Sequence, residues 1–383
     1  MRWLLISVTV LAVAYVAHFC FCSLLLLGVF EKVYNQSPGL CRIIDVNGSE
    51  DIVLLPNEHA LISSGLRDVK PSDIVQFVPP RDGKILLFDF NKPEKNVTEL
   101  HLLPSEGFDL KAFNPHGLSY WHDQNTGQIF LYVVTHLVDG EAVEVFEYLS
   151  DESALKHVKQ IRHQLINAPN DVEAVGHDMF YVTNDHYFDS AMMRLVESYL
   201  QLQKATVVFH DGVRNETQLV ARDLKFPNGV STSPDHRYVY VVVGTAMELN
   251  IYERNENDNT LQLIQVINLA SHCDNIFTQP DGGDLWLACH PRIIDMAWHI
   301  HRDTNHQTGS RVLRLRLGNE NFGKGLRFPD FEIIQIYSND GSELQGSSVA
   351  VFHRGNMLVG TALHRLLYCE VKSLDAWHMT HLV

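Results

Sequence analysis

One short pattern returns six times along this chain and constrains its fold more than any other feature. Each copy is a run of β-branched and aromatic residues that ends in a small, polar or histidine-bearing turn. The six strand runs are His59–Gly65, Ile129–His136, Met179–His186, Tyr238–Thr245, Asp284–His290 and Asn356–His364. Their spacing suits one four-stranded sheet per repeat, which is typical of a β-propeller. We therefore predict an all-β fold, a six-bladed β-propeller around a central tunnel.

A second, polar series of residues stands ahead of the strand runs. Its members are Ser49-Glu50-Asp51, Pro115-His116-Gly117, Pro169-Asn170-Asp171, Pro227-Asn228-Gly229, Cys273-Asp274-Asn275 and Gln345-Gly346-Ser347. Equivalent loops of a closed, symmetric fold point toward one axis, so these side chains would meet in the tunnel. Carboxylate and amide oxygens without thiolates form the ligand set of Ca²⁺, which predicts a calcium-binding tunnel. The alternative is structural, because Asn, Asp and Gly are also ordinary turn formers.

The N-terminal segment differs from the rest of the chain in composition. Residues 3–30 carry no charged side chain, and a run of that length can cross a bilayer. It exceeds the apolar core of a signal peptide, and no convincing cleavage site follows Leu27. We predict an uncleaved transmembrane anchor, a signal-anchor helix, over residues 1–30 and a propeller over residues 31–383.

Sequons and net charge indicate where the propeller lies and what it does not bind. Four N-glycosylation sequons begin at Asn35, Asn47, Asn96 and Asn215. Together they favour a lumenal or extracellular propeller and a cytoplasmic N-terminus, and hence a protein anchored in the endoplasmic reticulum or plasma membrane. The formal net charge of −16 makes nucleic acid an improbable partner.

The cysteines fall into three groups. Cys20 and Cys22 lie in the predicted anchor, as apolar filler or as palmitoylation sites. Cys41 and Cys369 bracket the folded region, and in an oxidising compartment we expect them to form a disulfide that joins the first strand of the propeller to the last. The remaining two, Cys273 and Cys289, could pair. Since Cys289 lies inside a strand run, we predict that it stays a buried thiol.

Short motifs through the chain carry a resemblance to a known family. They include Gly39-Leu-Cys41, Gly48-Ser-Glu-Asp51, Ile62-Ser-Ser-Gly65, Phe113-Asn-Pro-His-Gly117, Thr183-Asn-Asp-His-Tyr-Phe188, Ser233-Pro-Asp235, Asp274-Asn-Ile276, Gly283-Asp-Leu-Trp286, Cys289-His-Pro291, Leu344-Gln-Gly-Ser347 and Leu367-Tyr-Cys-Glu370. In order and spacing, from about residue 39 to residue 371, the chain resembles the paraoxonase/arylesterase family. The resemblance implies a six-bladed propeller that holds two calcium ions and hydrolyses lactones and aryl esters.

The resemblance also assigns ligands to the two ions. A catalytic calcium would be bound by Glu50, Asn170, Asn228, Asp274 and Asn275. A structural calcium would be bound by Asp51, Asp171 and the backbone carbonyl of Leu118. Three carboxamides and two carboxylates leave part of the ionic charge uncompensated, so the catalytic ion could polarise an ester carbonyl and stabilise the oxyanion.

Histidines complete the site that the resemblance implies. His116, with His136 behind it, would deprotonate the attacking water, a role that imidazole suits at neutral pH. His186, Phe226 and His290 would line the substrate pocket.

Two segments depart from the family pattern. The segment Arg292–Phe331 is long and polar, and we predict a charged surface loop rather than a metal site at its histidines. In the segment Asp189–Gln203, apolar residues fall on one helical face, which we expect to pack on the propeller.

Two functions are compatible with these features. The first is a membrane-anchored, calcium-dependent hydrolase of lactones or aryl esters. The alternative is a non-catalytic, membrane-anchored relative that assists the folding or assembly of a membrane protein such as an ion channel. The candidate ligands and His116 favour the enzyme, whereas the long anchor favours the assembly factor.

Overall fold

Segments rich in β-branched and aromatic residues pair into sheets throughout this chain. The structure is a computed structural model that describes residues 2–67, 82–301, 303, 305–317 and 331–372. The helices in these ranges are α1 Arg2–Leu26, α2 Ala191–Tyr199 and α3 Ile293–His301. The strands of the first half are β1 Cys41–Ile44, β2 Ile52–Leu54, β3 His59–Ser64, β4 Lys84–Asp89, β5 Val97–Glu99, β6 His101–Leu103, β7 Pro115–His122, β8 Ile129–Leu137, β9 Gly140–Leu149, β10 Ala154–Ile161, β11 Pro169–Gly176 and β12 Met179–Asn184. The later strands are β13 Ala205–Asp211, β14 Glu216–Leu224, β15 Pro227–Thr232, β16 Tyr238–Val243, β17 Glu248–Arg254, β18 Leu261–Asn268, β19 His272–Thr278, β20 Leu285–His290, β21 Ser310–Leu317, β22 Phe331–Asn339, β23 Ser347–His353, β24 Asn356–Thr361 and β25 Leu366–Glu370.

These strands form six sheets, which are the blades of a propeller. Blades one to five are β2–β5, β7–β10 with β6 at the edge, β11–β14, β15–β18 and β19–β22. Blade six is β23–β25 completed by β1. The first strands contact one another in a closed ring, from β2 through β7, β11, β15, β19 and β23 back to β2. The prediction of a six-bladed propeller is therefore confirmed.

The strand runs of the sequence are the second strands of the blades: β3, β8, β12, β16, β20 and β24. A strand that is covered on both faces can be apolar without alternation. The strand β16, with the sequence Tyr-Val-Tyr-Val-Val-Val, is buried at all six positions. The hydrophobic core correspondingly lies between neighbouring blades, where for example Tyr132 and Val134 of blade two pack with Phe180 and Val182 of blade three.

A covalent clasp closes the ring at blade six. The strand β1 pairs antiparallel with β25, and Cys41 lies directly opposite Cys369. The two residues form a disulfide, as predicted. The first strand of the propeller is thus held to the last by a sheet edge and by a covalent bond.

A second disulfide corrects the prediction for Cys289. The structure bonds Cys289 to Cys273, so it is not a free thiol. The two residues are directly paired in the antiparallel ladder between β19 and β20, which puts both side chains on the same side of the sheet. The register between these strands, which the sequence did not reveal, decides the pairing.

The surface-loop prediction for Arg292–Phe331 was wrong, and the prediction that the apolar face of Asp189–Gln203 packs on the propeller holds only in part, since Leu195 and Val196 are half-buried. Part of Arg292–Phe331 folds as α3 and β21 rather than as a surface loop, while residues 318–330 lie outside the described residues. His299 of α3 is buried and its Nδ1 lies 2.8 Å from the carbonyl oxygen of His306. In α2 the apolar residues Met192, Tyr199 and Leu200 are exposed, whereas Glu197 is buried.

The helix α1 contains a stretch, Ile6–Leu26, that is long and apolar enough to cross a membrane by length and composition. Its end meets the propeller at blade five. The carbonyl oxygen of Leu26 is hydrogen-bonded to the ring of His272, and that of Leu27 accepts a bond from the backbone N–H of Ile294. The apolar helix therefore ends beside the first strand of blade five and the start of α3.

Candidate metal centre and active site

A bulge near the start of the first strand of blades two to five holds most of the polar series. In each blade the residue before the bulge pairs with the second strand, the next two residues are skipped, and pairing then resumes. The skipped residues are His116-Gly117, Asn170-Asp171, Asn228-Gly229 and Asp274-Asn275. A bulge re-aims side chains locally, and its equivalent position in each blade brings these residues to the same end of the tunnel. In blade one, Glu50 and Asp51 directly precede β2.

Two of the skipped residues are glycines because the next blade approaches closely. A Cβ atom on Gly117 would lie 2.5 Å from the Cα of Asp171, and one on Gly229 would lie 2.7 Å from the Cα of Asn275. Both separations are shorter than van der Waals contact. The glycines therefore let the bulges of neighbouring blades stack around the axis.

The predicted ligands of the catalytic calcium form a first tier: Glu50, Asn170, Asn228, Asp274 and Asn275. Four of their oxygens are buried and lack a hydrogen-bond partner within the described residues. These oxygens are Glu50 Oε2, Asn170 Oδ1, Asn228 Oδ1 and Asn275 Oδ1. Buried polar atoms are almost always satisfied in folded proteins, so four unsatisfied acceptors at one end of the tunnel need an explanation. A bound cation supplies one.

The amide groups are oriented so that their oxygens stay available. Asn275 Nδ2 donates to Glu50 Oε1 at 2.8 Å, and Asn170 Nδ2 donates to Asp185 Oδ2 at 3.3 Å. No three His, Cys, Asp or Glu side chains in the described ranges could hold a metal ion by themselves. Any metal here would depend on amide oxygens, as calcium sites commonly do. The residues fit Ca²⁺ better than a metal that prefers nitrogen or sulfur ligands.

The carboxylates of Asp51 and Asp171 form a second tier, one residue further along the strands. Asp51 Oδ2 accepts a bond of 2.6 Å from the backbone N–H of Leu118, and Asp171 Oδ2 accepts one of 2.7 Å from that of Val230. Each carboxylate thereby joins its blade to the next. The Leu118 contact involves the amide group, and the role predicted for the carbonyl of Leu118 stays a prediction.

Burial makes it costly in free energy to ionise the two carboxylates of the second tier. Desolvation, together with the neighbouring charge of Glu50, raises the pKa of Asp51 to about 8. Desolvation and the charge of Asp51 raise the pKa of Asp171 well above its usual range. Like charges buried close together disfavour ionisation of all of them. Divalent cations bound by these carboxylates would relieve this repulsion.

His116 and His136 contact each other, as predicted for a general-base pair. His116 Nδ1 lies 2.8 Å from His136 Nε2, and His136 Nδ1 lies 2.6 Å from Glu141 Oε2. Because the Glu141 carboxylate accepts a hydrogen bond from His136 Nδ1–H, neutral His136 offers its Nε2 as an acceptor to His116 Nδ1–H. This leaves the Nε2 lone pair of neutral His116 directed toward Glu50, whose Oε1 is 3.4 Å away.

The protonation of His116 depends on the first tier. Burial lowers the pKa of His116, but the charge and hydrogen bond of Glu50, with smaller contributions from Asp185 and Asp274, outweigh burial and raise it to about 9. A cation bound to Glu50 would oppose this effect and favour the neutral imidazole. Occupation of the first tier and the availability of His116 as a base are therefore linked.

The predicted pocket residues lie next to the ligands. The His186 ring packs edge-on against Phe226, with centroids 5.0 Å apart, and its Nδ1 is 2.7 Å from Asp185 Oδ1. His290 Nε2 lies 3.2 Å from Asp274 Oδ2. These contacts connect all three pocket residues to the first tier.

Glu141 and Asp185 are site residues that the sequence prediction missed. Glu141 lies opposite His136 across the tight hairpin between β8 and β9, and the Asp139-Gly140 dipeptide of that hairpin was a usable signal. Asp185 bridges Asn170 and His186, and its pKa is lowered because the charge of His186 outweighs burial. Asp185 directly precedes His186 in the motif Thr183-Asn-Asp-His-Tyr-Phe188, but the motif alone does not show which residues Asp185 contacts.

Comparison with known proteins finds relatives that match most of this chain. The family model described as Arylesterase matches residues 30–371. Serum paraoxonase/arylesterase 2 of Homo sapiens is 38% identical over 324 residues, which cover 85% of this chain and 86% of that protein. Serum paraoxonase/lactonase 3 of Oryctolagus cuniculus is 35% identical over 344 residues, covering 89% and 92%.

A solved structure with little sequence similarity shares the fold. The luciferin-regenerating enzyme superposes with a TM-score of 0.50 at 10% identity, covering 88% of this chain and 96% of its own. That likeness supports the propeller architecture alone. The match of the family model over most of the chain, with relatives well above 30% identity, is decisive. The chain belongs to the paraoxonase/arylesterase family.

Proposed function

We propose that this protein is a calcium-dependent hydrolase of lactones and aryl esters. The observation that carries the proposal is a set of four buried oxygens in the first tier, contributed by blades one, three, four and five, that have no hydrogen-bond partner among the described residues. Relatives named paraoxonase/arylesterase and paraoxonase/lactonase support the substrate class.

Two ions are proposed, one for each tier. The first tier would hold the catalytic ion, which when bound would supply Lewis-acid stabilisation to the oxyanion of an ester or lactone. Asp51 and Asp171, with the carbonyl of Leu118, would hold the structural ion. The hydrogen bonds from Leu118 and Val230 to these carboxylates support a structural role, because they tie neighbouring blades together.

His116 is the proposed general base. Its Nε2 borders the first tier, while its Nδ1 is occupied by His136. A proton from the attacking water would enter at Nε2, and the Glu141 carboxylate would stabilise the resulting positive charge through His136. His186, Phe226 and His290 are proposed to orient the substrate beside these groups.

The proposed location is a membrane surface, with the propeller in the lumen or outside the cell. Two disulfides support an oxidising compartment. Asn35, Asn47, Asn96 and Asn215 are all exposed, as glycosylation requires. The end of α1 beside His272, one residue before Cys273, supports an anchor whose base lies close to the first tier.

A hydrolysis assay tests the proposed function. Full-length protein in detergent is offered phenyl acetate and a panel of γ- and δ-lactones, with calcium or with excess chelator, while bound calcium is measured in parallel. We expect turnover that chelation abolishes. Absence of turnover with calcium bound would reject the enzyme and favour the non-catalytic role in membrane-protein assembly.

A further inference from the structure

The bulges of the first strands differ in the residue that precedes the skipped pair. In blades two, three and four this residue is a proline: Pro115, Pro169 or Pro227. Proline fixes φ and removes conformations from the flexible chain. Each of these three bulges therefore starts from a restrained backbone.

Blade five has Cys273 at the equivalent position. Cys273 pairs with Cys289, the next two residues Asp274 and Asn275 are skipped, and pairing resumes between Ile276 and Leu287. Cys273 and Cys289 are both buried and bonded to each other. The disulfide therefore occupies the position at which three other blades use a proline ring.

The end of blade five has little ladder pairing before the bulge, although the His272 ring also bonds the carbonyl oxygens of Gly244 and Leu26. On the N-terminal side of the bulge, β19 and β20 are paired only at His272 with His290 and at Cys273 with Cys289. Two pairs at the end of a ladder, separated from the rest by a bulge, are prone to fraying. Fraying here would displace Asp274 and Asn275.

The other half of the disulfide lies on a fixed backbone. Cys289 pairs with Arg311 on β21, and its carbonyl oxygen accepts a bond of 3.1 Å from Ser347 Oγ in blade six. The residue after Cys289 is His290, which contacts Asp274 directly. The disulfide thus connects a well-supported strand to the skipped pair of the bulge.

We propose that Cys273 and Cys289 are positioning residues whose disulfide holds Asp274 and Asn275 in the first tier, as proline does in the neighbouring bulges. The inference rests on the proposed calcium site but not on turnover. The inference predicts that Asp274 and Asn275 are held in place by restraint of the backbone at position 273, and not by the sulfur atoms as such. A proline at this position should therefore replace the disulfide.

Four full-length proteins in detergent test the proposal: wild type, C273A/C289A, C273P/C289A and, as a matched control for cysteine loss, C20A/C22A. Hydrogen exchange of residues 272–278 is measured with excess chelator. Calcium affinity is measured by competition with a fluorescent chelator. We expect C273A/C289A to exchange about tenfold faster in this segment and to bind calcium about tenfold more weakly. C273P/C289A and C20A/C22A should stay within about threefold of wild type, which is well below that effect.

Three outcomes would overturn the proposal. One is peptide mapping that finds free thiols at Cys273 and Cys289 in the wild type. Another is unchanged exchange in C273A/C289A, and the third is failure of C273P/C289A to restore slow exchange. If C273A/C289A does not fold, C273P/C289A must still fold with wild-type exchange for the proposal to stand. Hydrogen exchange is measured without metal or substrate. If the wild type proves catalytically inert, the proposed function is rejected, but the exchange rates of the four proteins still decide whether the disulfide holds Asp274 and Asn275 in place.

Discussion

The two tiers of the tunnel contain similar residue types but satisfy them differently. In the second tier, Asp51 and Asp171 accept backbone N–H groups from their own and the neighbouring blade. In the first tier, Asn228 Oδ1 and three similar oxygens accept nothing within the described residues. Hydrogen bonds to backbone serve the scaffold, whereas unpartnered oxygens are available to a ligand. The difference suggests that the second tier holds the fold together and the first tier carries the chemistry.

The largest effect is expected on the free energy of unfolding, when one residue of each tier is replaced by alanine. Asp171→Ala leaves the buried N–H groups of Val172 and Val230 without acceptors and should lower the free energy of unfolding by about 3 kcal/mol or more. Asn228→Ala removes an oxygen without a partner in the described part of the chain and should mainly weaken calcium binding. Chemical denaturation at increasing calcium concentration measures both variants. Added calcium should recover the stability of Asn228→Ala by mass action, and equal recovery of Asp171→Ala would erase the distinction.

The second prediction concerns the base at the edge of the first tier. His116→Gln keeps hydrogen-bonding capacity but removes the titrating group, so lactone turnover should fall about 10²-fold or more. Calcium binding should not weaken, because His116 is not a ligand and its proton competes with the ion, and the melting temperature should stay close to that of wild type. Steady-state kinetics and calcium competition on the same preparation provide the measurement. Wild-type turnover in this variant would refute the assignment of His116.

The third prediction tests the support behind that base. Glu141→Gln should reduce turnover about tenfold, less than loss of the base itself, because only the stabilisation of His136 is lost. Glu147→Gln is the matched control, since it lies on the same strand β9 but contacts Gln128 and Lys156. The pH dependence of kcat should change in Glu141→Gln alone. A purely structural role of Glu141 would alter stability without altering that profile.

The last prediction concerns the sign of a slope, namely the pH dependence of stability. In the metal-free protein the raised pKa values of Asp51 and Asp171 mean that the folded state binds more protons than the unfolded state above pH 4. The free energy of unfolding should then fall as pH rises from 5 to 8. The expected slope is about 1.4 kcal/mol per pH unit for each proton, and each such step lowers Tm by about 2 °C.

Bound calcium should change the sign of this slope. It keeps the carboxylates ionised, so their pKa in the folded state is depressed and stability is lost as pH falls. Thermal melts at pH 5 and pH 8, with calcium and with chelator, give both slopes. Parallel slopes would contradict the binding of calcium by Asp51 and Asp171.

The sequence by itself determined the repeat, the residue types of both tiers, the apolar N-terminal helix and the clasp between Cys41 and Cys369. The repeat, the helix and the clasp follow from local patterns: covered second strands are continuously apolar, the N-terminal run lacks charge, and the bracketing cysteines mark the ends of a closed ring. The residue types of the two tiers follow from the polar series, and their division into tiers from the family resemblance.

Tertiary structure alone decided which groups meet. Strand register paired Cys273 with Cys289 and set Glu141 behind His136. Packing turned Glu197 inward and left Met192 of the same helix exposed. Convergence of four blades left four first-tier oxygens without a partner in the part of the chain that the structure describes. Each of these outcomes depends on distances between residues that are far apart in the chain. Those distances are set only when the ring of blades closes, so a pattern of residue types along the sequence does not reveal them.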